Sequence, residues 1–120
     1  MIHITVESMK GKINIKGHAR AEENPEEYRA ICTGITVLAE CLMWHIGKFA
    51  DKGIAKSIEY TPAEGDTKIR IWPEEWARKL IAGAIKGYAD GMEYMALSHP
   101  ECIEMIYDGR KVRQEEEQGA

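Results

Sequence analysis

The stretch from Gly17 to Trp44 constrains the fold of this 120-residue chain more than any other. It begins where an alternating apolar segment ends, crosses a short polar loop and continues as a long segment with apolar residues at helical spacing. Those apolar positions are Ile31, Ile35, Leu38, Leu42 and Ile46. A helix with one apolar face needs a partner, so we expect it to pack on a sheet formed by the flanking segments.

Alternating apolar and polar residues on both sides of this stretch predict the strands of that sheet. The first two predicted strands follow one another across a turn region and should pair as a hairpin. The next two flank a turn at residues 61–66 and should form a second hairpin. The predicted strands lie at residues 2–7, 12–16, 58–60, 69–71 and 102–107.

A second helical segment follows the second hairpin. It resembles a helix start at Pro73-Glu74-Glu75, continues with apolar residues from Trp76 and Leu80 to Met95, and should stop near Ser98-His99-Pro100. The order ββαββαβ predicts an α+β fold, a two-layer sandwich with a mixed sheet and two main helices. We expect a single domain over residues 1–109 and a charged, disordered tail over residues 110–120.

The start of the first helix has two interpretations. Asn24-Pro25-Glu26-Glu27 combines an N-cap residue, a proline suited to the first helical position and a glutamate placed for a capping box. With that start, Cys32 lies about two turns inside the helix, beyond the first turn where the helix dipole acts. If residues 24–28 instead form a separate turn, Cys32 lies at the helix start.

Composition argues against several classes of partner. The net charge is −4 and the 16 basic residues are dispersed, which argues against nucleic acid binding. No run of about 18 apolar residues occurs, and the N-terminus lacks the features of a signal peptide, so we expect a cytoplasmic protein without a membrane partner. Three cysteines without short regular spacing argue for reduced thiols rather than a disulfide framework.

One histidine and one cysteine lie where the backbone is expected to change direction. His18 follows Gly17 at the end of a predicted strand, and Cys32 lies across the loop. A thiol needs such a base because free cysteine has a pKa of about 8.5, which a neighbouring imidazolium lowers to roughly 3.5 to 7.5. Taken singly, however, Cys32 is more often a core residue and His18 a solvated one. Thr36 inside a helix is more often bonded to a backbone carbonyl.

The two motifs together resemble the ribosomal-processing cysteine protease family, Prp. Gly17-His18-Ala19 matches the family's GHA motif, and the segment from Ile31-Cys32 to Thr36-Val37-Leu38 is similar to its VCAAVS-like motif. The resemblance extends over residues 1–109. It implies a homodimeric cysteine endopeptidase that removes a short N-terminal extension from a ribosomal large-subunit protein, or from a capsid or scaffold protein in phage relatives. The substrate is then a protein with an extended N-terminal segment.

The resemblance also assigns roles to residues. It implies His18 as the general base and Cys32 as the nucleophile, with Thr36 where the family usually has a serine. Thr33 and Gly17 are candidate supporting residues, and backbone N–H groups near Cys32 and Thr33 are candidate oxyanion donors. No cofactor and no metal is implied. A four-ligand metal site is the less favoured alternative, because neither of its pairs has the tight Cys-x-x-Cys form. Its ligands would be Cys41, His45, His99 and Cys102.

Three departures from the family pattern motivate a second function. Arg29 or Ala30 stands where the family commonly has an aspartate, Thr33-Gly34 replaces two alanines, and the loop Arg20 to Tyr28, a candidate lid, is more acidic than usual. The alternative is a catalytically inactive dimeric binding or assembly protein with the same fold. The tryptophans are predicted to lie in the core, a dimer interface or a peptide groove. They are Trp44, Trp72 and Trp76.

Overall fold

The computed structural model describes residues 1–18, 25–49, 52–63 and 65–113, which form six strands and two main helices. The elements are β1 (Ile2–Glu7), β2 (Lys12–Lys16), α1 (Pro25–Phe49), β3 (Ala55–Thr61), β4 (Asp66–Pro73), a 3₁₀ turn (Glu75–Ala77), α2 (Arg78–Ser98), β5 (Ile103–Tyr107) and β6 (Arg110–Lys111). The predicted α+β class is confirmed. The order contains one more strand than predicted, a short β6 after β5.

The six strands form one mixed sheet in the order β3-β4-β2-β1-β5-β6. Both predicted hairpins form, because β1 pairs with β2 and β3 pairs with β4, each antiparallel. Only β1 and β5 run parallel within the described sheet. The antiparallel pairing of β2 with β4 joins the two hairpins, and it brings the end of β2 beside the β3–β4 turn.

The sheet is covered on one face, which gives the predicted two layers. The inward positions of its strands are apolar and buried with those of both helices in a single core cluster. The outward positions of the same strands are polar and charged, with residues such as Lys16 and Glu104 exposed. Burial of alternate residues on one face is what the alternating sequence pattern dictates. The most fully buried core side chains include Ile4, Ile13, Leu42, Ile71, Ile85, Met92 and Met105.

Helix α1 begins at Pro25, so the structure bears out the start indicated by the capping signal. Counted from Pro25, Cys32 is the eighth residue of the helix. The positive end of the helix dipole acts within the first turn and therefore does little for the Cys32 thiol. The helix continues through Gly47 and ends at Phe49.

Helix α1 is long and apolar enough to cross a membrane, judged by its length and composition alone. The segment Pro25–Lys48 has a mean hydropathy of 1.4. A helix that covers a sheet passes the same criterion, and the apolar stripe of α1 is buried in the core beneath it. The absence of a membrane partner stays a prediction from the sequence.

Helix α2 begins later than predicted. Strand β4 runs on to Pro73 and a 3₁₀ turn follows, so the α-helix starts at Arg78 rather than at Pro73. In this register Ala77 and Ile81 point inward, and Trp76 and Leu80 are 67% and 58% exposed. The prediction that Trp76 and Leu80 begin the buried apolar stripe of this helix is therefore wrong. Trp44 on α1 is 72% exposed, so the core interpretation is also wrong for this tryptophan.

The chain does not leave the sheet at residue 110. Asp108 and Gly109 both have positive φ, which suits a two-residue hairpin turn, and β6 pairs with β5 beyond it. Val112 is buried at 8% exposure, so residues 110–113 belong to the folded unit. The remainder of the predicted tail, residues 114–120, lies outside the described residues.

The carboxylate of Asp108 ties this turn to the β1–β2 turn. The Ser8 backbone N–H donates to Oδ1 and the Ser8 hydroxyl donates to Oδ2, each at 2.7 Å. Burial opposes ionisation of Asp108, but the Ser8 hydrogen bonds, Lys86 and Arg110 outweigh it and lower the pKa. Since Ser8 is itself 2% exposed, its donors depend on this carboxylate.

We predict that Asp108→Asn lowers the free energy of unfolding by about 1 kcal/mol at pH 7, because one charge-assisted hydrogen bond is lost. Asparagine tolerates the positive φ. The pKa of Asp108 is depressed in the folded state, so its stabilisation is complete above the unfolded value of about 3.9 and disappears as pH falls through the folded value. Urea unfolding from pH 3 to 7 measures this. Exposed Glu104→Gln is the control, and a difference that stayed constant down to pH 3 would contradict the prediction.

Candidate active site

The backbone of His18 is fixed at the end of β2. Gly17 turns the chain with φ +95, and a Cβ at this position would overlap the carbonyl oxygen of Met1. The Gly17 N–H donates to the Gly65 carbonyl at 2.8 Å. The Met1 amino group donates to the His18 carbonyl at 2.9 Å. These contacts explain why glycine precedes the histidine, and they leave the imidazole exposed. Ala19, the third residue of the motif, lies outside the described residues.

The β3–β4 turn supplies a support for the imidazole that sequence reasoning missed. Gly65, with φ +74, faces the His18 ring so closely that a Cβ would overlap it, and Nε2 is the nearest ring atom. Residues 61–66 were recognised as a turn, but not as a wall of the site. The available signal was the glycine itself, because a turn glycine marks either positive φ or a close approach.

Cys32 reaches the same place from α1. It lies between the buried residues Ile31 and Ile35 and is half-buried, packed against the edge of the core. Its position follows from helical spacing, since it is one step around the helix from the buried stripe. The thiol therefore lies at the boundary between the core and solvent.

Cys32 and His18 line one cavity of about 400 Å³ between the end of β2, the first turns of α1 and the β3–β4 turn. The structure brings the two side chains to this cavity and does not show them hydrogen-bonded to each other. Gly17 and Thr36 also line the cavity, whereas Thr33 is exposed on α1 outside it. The other described lining residues are Ile2, Ile15, Pro25, Tyr28, Arg29, Ile35, Ala63, Gly65, Asp66 and Thr67.

The backbone N–H groups of Cys32 and Thr33 are not available as oxyanion donors. Both residues lie inside α1, where each N–H donates to the carbonyl four residues earlier. That expectation required Cys32 at the helix start and is wrong for this helix. Among the side chains that line the cavity, the Thr36 hydroxyl and the Arg29 guanidinium carry hydrogen-bond donors.

A second cavity, of about 330 Å³, continues from the first along α1. Thr36, Ala63 and Thr67 line both cavities, so the two form a continuous groove. The second cavity also contacts Tyr60 and Pro62, which give it a more apolar wall. Burial raises the pKa of Tyr60, and the negative charge of Glu40 adds to the rise. None of the three tryptophans lines either cavity.

The remaining cysteines differ from Cys32 in their surroundings. Cys41 is exposed on α1, and Cys102 is buried. Burial raises the pKa of the Cys102 thiol, and the nearby Glu101 and Glu27 carboxylates raise it further. A hydrogen bond from Tyr28 acts in the opposite direction and lowers it.

The four-ligand metal alternative is not assembled within the described residues. His45 contacts the Tyr88 hydroxyl through Nδ1 at 3.3 Å, away from His99 and Cys102. The described group with ligand atoms within 4.8 Å of one another is Glu27, His99 and Glu101. These are paired among themselves, with 3.5 Å between His99 Nδ1 and Glu27 Oε1. Neither Cys41 nor His45 belongs to that group.

Comparison with known proteins identifies the fold. No family model and no curated protein matches the chain. SMU.848 from Streptococcus mutans has a TM-score of 0.65 at 18% identity, over 95% of this chain and 96% of that one. The essential ribosomal processing protease Prp from S. aureus, in complex with a substrate peptide, has a TM-score of 0.62 at 14% identity. The match covers 88% of this chain and 96% of that one. The same protease with a covalently linked product peptide has a TM-score of 0.58 at 15% identity, again over 88% of this chain and 96% of that one. The predicted resemblance thus holds at the level of the fold.

Proposed function

We propose that this protein is a cysteine endopeptidase that removes an N-terminal extension from a ribosomal large-subunit protein. The observation that carries the proposal is the meeting of Cys32 and His18 at one cavity, one from the end of β2 and the other from α1. The shared fold with a ribosomal processing protease described with peptides supports it. The cavity is part of a groove, which suits an extended peptide rather than a small compact substrate.

In the proposed reaction, His18 accepts the proton of the Cys32 thiol, and the thiolate attacks the carbonyl carbon of the scissile peptide bond. The imidazolium then gives its proton to the leaving amine, and water hydrolyses the acyl-enzyme with His18 as base. The Thr36 hydroxyl and the Arg29 guanidinium are the donors we assign to the developing oxyanion. Because Cys32 lies beyond the first turn of α1, activation of the thiol depends on His18 rather than on the helix dipole.

The second cavity gives the groove a place for one substrate side chain. Tyr60 and Pro62 offer an apolar wall beside the proposed nucleophile, which favours an apolar or aromatic residue next to the cleaved bond. A phage capsid or scaffold protein with such an N-terminal segment fits the same groove, so the structure favours a kind of segment rather than one source.

The test is cleavage of two sets of synthetic peptides, followed by mass spectrometry. One set represents N-terminal extensions of ribosomal large-subunit proteins, and the other represents phage capsid and scaffold termini. We expect cleavage in the ribosomal set at a bond beside an apolar or aromatic residue. Cleavage confined to the phage set would replace the substrate but keep the protease, and cleavage of neither set at high enzyme concentration would contradict the proposal.

We also propose that the protein is a cytoplasmic homodimer that binds neither nucleic acid nor membrane. The solvent faces of α1 and α2 carry large exposed apolar side chains, including Val37, Trp44, Leu80 and Tyr94. Exposed apolar groups of this size are typical of protein contact surfaces. A monomer by sedimentation at micromolar concentration would contradict the dimer.

A catalytically inactive binding or assembly protein is the second candidate. Two observations favour it: the absence of a hydrogen bond between the Cys32 and His18 side chains in this structure, and the positive charge of Arg29 at the cavity. Catalytic hydrogen bonds often form only when substrate is bound, so the first observation is compatible with both functions. Alkylation of Cys32 at the rate of an ordinary thiol, with peptide present, would favour the binding protein.

A further inference from the structure

Asp66 lines the candidate active site, and one of its carboxylate oxygens has no assigned partner within the described residues. Asp66 Oδ1 has less than 1 Å² of accessible surface and no hydrogen-bond partner within the described residues. The Asp66 side chain as a whole is 47% exposed, so its exposure comes from its other atoms. Oδ2 lies 4.0 Å from the Lys68 ammonium. A covered carboxylate oxygen without a donor is costly, and such an atom in a native protein calls for a functional reason.

The His18 imidazole points a nitrogen at the segment that carries this oxygen. Nε2 is the ring atom nearest to Gly65, with Cε1 and Cδ2 on either side, so the ring approaches the turn with its Nε2 end. Asp66 is the next residue after Gly65. The opposite nitrogen, Nδ1, is not among the three ring atoms nearest to Gly65. The two nitrogens thus suit two different partners, a thiol on one side and an acceptor on the other.

Two backbone acceptors of the turn are already in use. The Gly65 carbonyl accepts from the Gly17 N–H, and the Ala63 carbonyl accepts from the Asp66 N–H and the Thr67 hydroxyl. Among the described residues that line the cavity, Asp66 is the one carboxylate. It is therefore the side-chain acceptor that the described part of the turn offers to an imidazole N–H.

We propose that Asp66 is a positioning residue for His18, in a Cys32–His18–Asp66 arrangement that forms when the thiolate and imidazolium are present. This inference rests on the proposed protease function. The Asp66 carboxylate accepts a hydrogen bond from His18 Nε2–H, which holds the ring with Nδ1 toward the thiol and stabilises the imidazolium. The proton stays on nitrogen. Rotation of the carboxylate or of the exposed imidazole is needed to close this bond, as is common for catalytic hydrogen bonds in free enzymes.

Three cations lie near Asp66 or the cavity that it shares with His18, and each affects the ionisation of these two residues. The Arg29 guanidinium enters from α1, Lys68 follows on β4, and Lys16 is the cross-strand neighbour of Asp66 on β2. All three cations favour ionised Asp66 and disfavour the imidazolium. The carboxylate is thus the described group at the cavity that stabilises protonated His18.

The test is the rate of Cys32 alkylation by iodoacetamide between pH 5 and pH 9, read for each cysteine by peptide mass spectrometry. Loss of the carboxylate removes the group that stabilises the imidazolium, so a smaller fraction of Cys32 is present as thiolate at a given pH. In Asp66→Asn we expect about a tenfold lower rate at pH 6.5 and a rise in rate displaced by about one pH unit. Asp66→Glu keeps the charge and should restore part of the rate. Glu59→Gln, which removes an exposed carboxylate on β3 outside the cavity, is the matched control.

The outcomes separate this inference from the proposed function. If Cys32 is activated in the unchanged protein, loses activation in His18→Ala and keeps its full pH profile in Asp66→Asn, the role of Asp66 is overturned and the protease stands. If Cys32 of the unchanged protein reacts like Cys41 at every pH, both the role of Asp66 and the proposed protease function are contradicted. If Asp66→Asn does not fold, Asp66→Ser removes the carboxylate with a smaller side chain and gives a second readout. A pH profile of Cys32 alkylation in Asp66→Ser equal to that of the unchanged protein would overturn the proposal.

Discussion

Replacement of Cys32 by alanine should lower the rate of peptide cleavage by at least about 10³-fold. The nucleophile is lost, and only binding and the remaining hydrogen-bond donors continue to favour the transition state. Because Cys32 is half-buried at the edge of the core, the substitution should reduce stability by no more than about 1 kcal/mol. The measurement is the initial rate on a cleaved peptide, with the thermal midpoint recorded for each variant.

Cys41→Ala is the matched control for this substitution. Cys41 lies on the same helix and is exposed, so the same chemical change should leave the rate within about twofold. Residual cleavage by Cys32→Ala above about one tenth of the original rate would rule out Cys32 as the nucleophile, since no catalytic cysteine is dispensable to that degree.

Gly65→Ala should lower cleavage by about 10²-fold, because a Cβ at this position displaces the His18 ring from its place beside the turn. The substitution also places alanine at φ +74, which costs roughly 1 to 2 kcal/mol of stability. Activity should therefore fall by more than the loss of stability explains, and the alkylation rate of Cys32 at pH 6.5 should fall with it.

Gly53→Ala separates the two effects. Gly53 has φ +68, yet a Cβ there meets nothing within 4 Å. It should lose about the same stability as Gly65→Ala and keep its activity. Equal activity of the two variants after correction for folded protein would show that the position of the imidazole relative to the turn does not matter, and would remove Gly65 from the proposed site.

The sequence patterns predicted much of the fold because they report local burial. Alternation in residues 2–7 and 103–107 identified the buried face of each strand, and the capping signal at Pro25 located the start of α1 correctly. Of the two starts that the sequence left open, the structure has the one at Pro25, and Asn24 itself lies outside the described residues. His18 and Cys32 were identified from the paired motifs, and the structure places both at one cavity.

The rest depended on non-local pairing that local patterns do not report. The adjacency of β2 and β4 carries Gly65 and Asp66 to His18, and no periodicity within either segment reveals which strands become neighbours. The late start of α2 escaped prediction for a local reason, because Pro73-Glu74-Glu75 has the composition of a helix start while β4 continues through Pro73. A 3₁₀ turn then shifts the helical register and exposes Trp76.

The pairing of β2 with β4 also has a consequence during synthesis. Ribosomes add about 5 to 20 residues per second, so the segment with His18 and Cys32 is made before the β3–β4 turn that supports the imidazole. A nascent chain that ends before β4 carries a thiol and a histidine without the wall that orders them. The proposed Cys32–His18 site is therefore complete only after the second hairpin has paired with β2.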